Sequence, residues 1–587
     1  MKYSIDLQRR KAMIAIGALT LSSLTACSRV IKPLPKSEIT DSVPEPESVL
    51  PFLKPRKLSK NCRPAEIEYC LDVHTHFFNA SDVNASSYLV ESIGHTTSSI
   101  AQAFLRACIP IIDALASSAP SASQEFHFLV SRATIKTVKI EEHQRSLDIV
   151  QESHERQLVS NLYEEIKKTN LENLHYELEN ENFNTLKSQY PELIVTNKIF
   201  IDHSNYQQKI LDAIQGKKSK SQYIQMIDSG AKPVRSMVDP IRIIEFMGHM
   251  LSYRWMSLRN YQIKYTENEE AFGIDGVFAS LVDFDYFLNT PSNSSRQDQM
   301  KLHSLLSLLS GGYMMPIISY NPWTDINNSE ASFNLVVNAI NNYGFIGVKI
   351  YPPVGFFPYG NSDADMQVNS KYPRPDLKNL DLSLDKMFSW CAENSIPVMA
   401  HTEESMGRDD ISDEFPKTKG WNKLIDHLAT KSLHPVINTA HFGGDFAKDK
   451  RKPNTWTTDF ALIAKSEPYF YGDLGYWNSL TLDCTDARGE CGIAMGRIIS
   501  ALHANPDIIN RVMYGTDWFM LSKETNWEQY PTAIFATLSD NFPANKFFYQ
   551  NAINCFGFTK DGSNYRKIKE RFSRLSGGIP NWLPTII

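Results

Sequence analysis

Three scarcities narrow what this chain can be. Cysteine is sparse, with 8 in 587 residues, which excludes a disulfide scaffold. A basic surplus is missing: 60 Lys and Arg stand against 66 Asp and Glu, for a formal net charge of -6 and a pI near 6.2. Without that surplus, and with no basic stripe interleaved with aromatics, nothing would neutralise a phosphate backbone, so nucleic acid is excluded as a partner. The apolar run near the N-terminus, AMIAIGALTL at 12–21, falls well short of the ~20 residues that a membrane-spanning helix needs. No internal repeat is seen. What remains, 42% hydrophobic and 21% charged, is the composition of an ordinary globular chain long enough to bury a sizeable core.

The N-terminal run has a context. Arg9, Arg10 and Lys11 precede it, and LTAC (24–27) closes it with small residues before a cysteine. This resembles a bacterial lipoprotein signal, residues 1–26, whose cleavage would leave Cys27 as a lipidated N-terminus. The expected location is the bacterial cell envelope, facing the periplasm or the surface. Ser28 after the cysteine favours the outer membrane over the inner. A twin-arginine route through Arg9 and Arg10 is the alternative, although the flanking residues match it poorly. Residues 27–65 are rich in Pro, Ser, Lys and Glu without an apolar period and are expected to form a flexible tether. Export permits disulfides, and the seven cysteines left after Cys27 are an odd number, so at least one stays free. Cys484 and Cys491 are close enough to staple a loop, and Cys62 could pair with Cys70 or elsewhere. Cys70, Cys391 and Cys555 lie in apolar settings that suit buried thiols.

Beyond the tether, short β-rich runs alternate with helical patterns. The runs fall at 68–76, 275–283, 313–320, 345–351, 396–401, 435–441, 468–474 and 511–517. Segments such as SFNLVVNAINNYG (332–344) and LDKMFSWCAEN (384–394) between them carry apolar residues at three-to-four spacing and end in Gly or Asn. Eight such units predict an α/β fold, a (β/α)8 barrel of buried parallel strands. The rhythm breaks once, between the first and second strands, where 84–269 reads as a large, mainly helical insertion. It includes a polar helical tract from Ile140 to Asn197 and a more apolar part at 239–265. The barrel is then 66–83 together with 270–587, and the insertion, near its top, is either a cap or partner surface or decoration.

CLDVHTHFFNA, at 70–80, ends the first run with His74 and His76 one residue apart. On a strand, side chains at i and i+2 share a face, so the two imidazoles converge. Barrel enzymes place their chemistry at the C-terminal ends of the strands. The other strands bring Lys349 in the fourth, His401 ending the fifth, His441 ending the sixth and Asp517 ending the eighth. His303, His427 and His434 fit helical or connecting segments and read as structural.

In order along the chain, DVHTHFFN (72–79), GFIGVKIYPP (344–353), IPVMAHTEES (396–405), HPVINTAHFGG (434–444), VMYGTDWF (512–519) and FFYQNAINCFGF (547–558) resemble the amidohydrolase superfamily, in its amidohydrolase-related branch of hydrolases, decarboxylases and hydratases. The resemblance implies that His74, His76, His401 and Asp517 hold one divalent metal, most simply zinc. It implies metal-activated water attacking an ester, lactone or amide bond of a small molecule. Asp517 would act as general acid-base, and His441 would polarise the carbonyl or stabilise the oxyanion. In some relatives a fourth-strand lysine carries a carbamate bridging two metals, which would give Lys349 that role.

Two other readings stand beside the hydrolase. One is a non-oxidative decarboxylase or hydratase using the same pocket, and the other is a non-catalytic, surface-tethered binding protein. Partners are expected to be a small-molecule substrate, the membrane through the lipid anchor, and a second copy in a homodimer. Glu403 and Glu404 would support the site or face solvent, and Asp283 and Asp285 could line it. Trp323, Phe356, Phe357, Tyr359 and Trp518 are expected on loops above the barrel as an apolar wall.

Overall fold

The computed structural model describes residues 41–88, 113, 115–135, 137–168, 246, 248–288, 290–362, 377–404, 412–445, 455–524 and 527–584. The lipoprotein signal, Cys27 and Ser28 lie outside them, as do the stretches 89–112 and 169–245 of the insertion.

Eight short strands form one parallel sheet in sequence order: β1 (Leu71–Thr75), β2 (Gly276–Ser280), β3 (Met314–Ser319), β4 (Val348–Ile350), β5 (Val398–His401), β6 (Ile437–Ala440), β7 (Phe470–Asp473) and β8 (Val512–Met513). Each falls inside the run expected for it. All their residues are buried, as parallel strands covered on both faces require. Helices such as Arg296–Leu309, Ala331–Asn342, Leu377–Glu393, Thr418–Ala429, Trp456–Ser466 and Glu490–Ala504 return the chain between successive strands. The helix Arg296–Leu309 starts where the Ser295 side chain accepts from the Asp298 amide, satisfying a donor that the first turn leaves free.

The segment after β8 closes the ring onto β1. Val73 N donates to Tyr514 O at 3.1 Å, Asp517 N to His74 O at 2.7 Å and His76 N to Trp518 O at 3.0 Å, with a parallel bridge between Thr75 and Trp518. This is the (β/α)8 barrel that the sequence pattern predicts.

Two expectations are revised. Residues 41–65, assigned to a flexible tether, pack on the body: Val49, Phe52 and Leu53 are at most 2% exposed, Leu53 N donates to Leu309 O at 2.8 Å, and the Phe52 ring stacks on His143 at 5.1 Å. A few apolar residues within a Pro-rich, charged composition are enough to dock it. Cys62 is exposed, Cys70 is buried, and both are free, whereas Cys484 is bonded to Cys491 as the spacing suggests. Cys391 and Cys555 are buried free thiols.

The insertion contributes the helix Ala122–Ala133, opened by a Ser121–Gln124 capping box, the 29-residue helix Ile140–Lys168, and the helix Arg254–Gln262 continued by a π turn, Ile263–Glu267. Its junction with the barrel is a buried guanidinium. Arg254 Nε and Nη2 donate to the two carboxylate oxygens of Asp82 at 2.8 and 2.6 Å, Nη2 also reaches Ser81 Oγ at 2.8 Å, and Nη1 reaches Pro120 O at 2.8 Å and Glu125 Oε2 at 3.1 Å. The Glu125 carboxylate also accepts from the Arg254 and Trp255 amides.

Arg254→Met would leave two carboxylates buried without their cation. The expected loss is about 3–5 kcal/mol of unfolding free energy, read from urea denaturation. A loss under about 1 kcal/mol, the range of exposed pairs, would contradict the buried junction.

Candidate metal centre

The ends of β1 and β8 build the centre. His74 lies in β1 and His76 follows it, their rings 5.4 Å apart, and Asp517 stands four residues beyond β8. Asp517 Oδ1 is 3.3 Å from His76 Nε2 and 3.6 Å from His74 Nε2, and the donor atoms of the three side chains lie within 4.8 Å of one another. Donors held ~2.0–2.1 Å from one tetrahedral ion stand about 3.4 Å apart, so the spacing fits a single small divalent cation.

The ring nitrogens are sorted by their outer partners. His74 Nδ1 donates to Asp473 Oδ1 at 2.9 Å, His76 Nδ1 to Ser280 O at 2.8 Å and His441 Nδ1 to Gly475 O at 2.9 Å. Each partner can only accept, so each neutral imidazole keeps its Nε2 lone pair for the interior. Burial, then for His74 the neighbouring Lys349 and for His401 the neighbouring His441, holds both imidazoles well below their ordinary pKa. Burial likewise lowers His441, with Asp517 opposing it. Neutral imidazoles are what a metal requires of its ligands. Burial works to raise the Asp517 carboxyl, and the charge that His74 and His76 carry when protonated, with the hydrogen bond from His76, pulls it down.

His401 departs from the four-donor expectation. Its ring lies tilted against Tyr351 at 4.3 Å and meets His441 edge-on at 4.6 Å, and it is not among the three grouped donors, His74, His76 and Asp517. Its Nε2 is nevertheless buried without a hydrogen-bond partner. An imidazole nitrogen left so beside three donors fits a cation at this centre. Lys349, 2% exposed, places Nζ 3.3 Å from His74 Nε2, and burial brings its amine down to about 8 against the pull of Asp473 and Asp517.

Two acidic groups absent from the expected set hold the donors in place. Asp473, at the end of β7, orients His74 and also accepts from Asn438 Nδ2 at 2.8 Å and from the Gly475 amide at 2.9 Å. The strand-end rule that selected His401 and His441 applies equally to it. Gly475 must be glycine, since a Cβ there would sit 2.4 Å from His74 Nδ1. Asp72, two residues before His74 on the same strand face, accepts from the His74 amide at 3.1 Å, the Thr516 amide at 3.0 Å, Thr516 Oγ1 at 2.6 Å and the Tyr261 hydroxyl at 2.6 Å. Burial pushes its carboxyl up to about 7, with the Thr516 and Tyr261 bonds opposing. The backbone around the centre is strained: His441, Phe442, Asp517 and Phe519 have φ of 69°, 44°, 53° and 110°. Each such conformation costs about 1–3 kcal/mol and persists where the surroundings impose it.

The remaining expectations divide. Glu403 Oε2 is 3.4 Å from His441 Nδ1 and belongs to the site's surroundings. Asp283 and Asp285 are instead paired with Arg296 at 3.2 and 2.6 Å. Of the five aromatics expected above the barrel, Trp518 and Phe356 are fully buried, Trp323 is 4% exposed, Phe357 packs on Phe415 at 5.0 Å and Tyr359 stacks on His427. The phenols that sense the Asp517 charge are those of Tyr88, Tyr351 and Tyr476, each raised first by burial. His303, His427 and His434 are structural as expected: His303 is buried against carbonyls, His427 pairs with Asp385 at 2.8 Å, and His434 is largely exposed.

No protein-family model matches the chain, and no curated protein matches it. Among solved structures it is similar to an uncharacterised TIM-barrel protein from Bordetella bronchiseptica (14% identity, TM-score 0.32, covering 52% of this chain and 83% of that one). It is also similar to an amidohydrolase from Burkholderia multivorans with bound HEPES (11%, 0.33, 53% and 91%). A third is a 2,6-dihydroxybenzoate decarboxylase complexed with 2,6-dihydroxybenzoate (14%, 0.30, 59% and 94%). Likenesses this distant say nothing of reaction or substrate, and the barrel stands on its own strand order.

Asp473→Asn would place an amide against Asn438 and His74 in place of the orienting carboxylate. Zinc affinity, measured by competition with a chelator, should weaken about 10–100-fold, and unchanged affinity would contradict the orienting role.

Proposed function

We propose that this protein is a metal-dependent enzyme of the amidohydrolase type that hydrolyses an ester, lactone or amide bond of a small molecule, with one zinc-like ion held by His74, His76 and Asp517 and with His401 beside them. The observation that carries the reading is the convergence of the buried His74, His76 and Asp517 side chains, their donor atoms within 4.8 Å of one another, at the C-terminal ends of the strands. Bound there, a divalent ion would supply Lewis acidity and lower the pKa of water toward ~7.

The chain's own groups do the rest. Asp517, buried and ionised, can take a proton on a carboxylate oxygen from the attacking water and pass it to the leaving group. His441 donates its Nδ1–H in a hydrogen bond to the Gly475 carbonyl, so its Nε2 offers a lone pair while the ring is neutral and a proton only when it is cationic. Glu403, 3.4 Å from that Nδ1, is placed to favour the cation as charge develops on a substrate oxygen. In the one-metal reading Lys349 remains a free amine beside His74 rather than a carbamate. A lipid anchor at Cys27 would hold the enzyme at the envelope, where small esters, lactones and amides reach it without crossing the inner membrane.

Asp517→Asn should lower kcat by about 10^2- to 10^4-fold while the protein still binds zinc. The assay is a panel of esters, lactones, amides and aromatic carboxylic acids. Full activity in the variant would overturn the acid-base role, and release of carbon dioxide from an aromatic acid, with no hydrolysis, would replace hydrolase by decarboxylase. Cys27→Ser should move the protein from the membrane to the soluble fraction of its host. Continued membrane association would refute the anchor.

A further inference from the structure

The helix Arg254–Gln262 belongs to the insertion, yet it is fastened to the barrel at both ends. At its start the Arg254 guanidinium grips Ser81 and Asp82, in the loop that follows His76. Seven residues on, two helical turns and therefore on the same face, Tyr261 donates its hydroxyl to Asp72 Oδ2 at 2.6 Å. Tyr261 is fully buried, with its ring against Trp518 at 5.5 Å and Phe77 at 6.0 Å. Asp72 in turn fixes the main chain of His74 and the amide and hydroxyl of Thr516, the residue before Asp517. One carboxylate thus sets the spacing between the two chain segments that carry the three donors.

We infer that Tyr261 is a positioning residue for the metal centre, through which the insertion holds Asp72 and so fixes Asp517 against His74 and His76. This rests on the metal reading above. The carboxylate accepts four hydrogen bonds, and three of them come from the two segments it joins. The fourth comes from outside the barrel. Without the phenol, Oδ2 keeps only Thr516 Oγ1, and Asp72 is free to rotate toward any other donor. Asp517 holds a left-handed backbone conformation, φ 53°, which only a rigid surrounding maintains, so slack in Thr516 passes directly to the donor oxygen. The insertion is then part of the site's construction rather than decoration.

The test compares zinc affinity, by chelator competition on the full chain, in the wild type, Tyr261→Phe and Tyr265→Phe. Tyr265 is a matched control: it lies one turn further along, is equally buried, and donates its hydroxyl at 2.6 Å to Trp527 O instead of Asp72. Tyr261→Phe should bind zinc about 10–100-fold more weakly, while Tyr265→Phe stays within about twofold of the wild type, with equal apo-protein Tm for the two variants. Equal affinities in all three proteins would overturn the inference, as would equal weakening in both variants. A Tyr261→Phe chain that fails to fold where Tyr265→Phe folds would also overturn it, since the phenol would then serve folding and not the centre. If the wild type itself binds no zinc, it is the metal reading that fails.

Discussion

The structure turns on one buried carboxylate. Asp72 joins the first strand to the chain that follows the last, and those two segments, more than four hundred residues apart in sequence, carry every donor of the three-residue group. A barrel of eight short strands has to close somewhere. Here the closure is also the site, because the hydrogen bonds that seal it run through His74, His76, Asp517 and Trp518. Burial makes a charged Asp72 costly, and the bonds it accepts from both segments and from Tyr261 offset that cost. The seam and the three-residue group therefore share their hydrogen bonds.

Much of this was legible in the sequence, for identifiable reasons. Parallel strands buried on both faces are written as apolar runs, so all eight strands stood out despite being only two to six residues long. The histidine pair was visible because strand parity puts i and i+2 on one face, and the same parity places Asp72 with them. Asp473 carried the strand-end signal as clearly as His441 did. A single acidic residue, however, announces nothing until the imidazole it orients is seen 2.9 Å away.

Other features could not be read. Tyr261 lies on an insertion whose docking no local pattern specifies, and its partner is nearly two hundred positions earlier. The contact of the His401 ring with Tyr351 joins the ends of the fifth and fourth strands, which no local pattern shows. Residues 41–65 looked like tether because proline and charge dominate them, yet Val49, Phe52 and Leu53 are buried and Arg63 pairs with Asp275 just before β2. Trp518 looked like a wall residue because it follows Asp517, yet the turned backbone there sends it into the core against Tyr261 and Phe77.

The most direct test of the central claim, that segments from the first strand and from beyond the last strand meet at one cation, is X-ray absorption at the zinc edge of the metal-loaded protein. The account predicts a first shell of nitrogen and oxygen alone at about 2.0–2.2 Å, with the outer scattering of at least two imidazoles. A shell containing sulfur at about 2.3 Å, or one without imidazole, would contradict it.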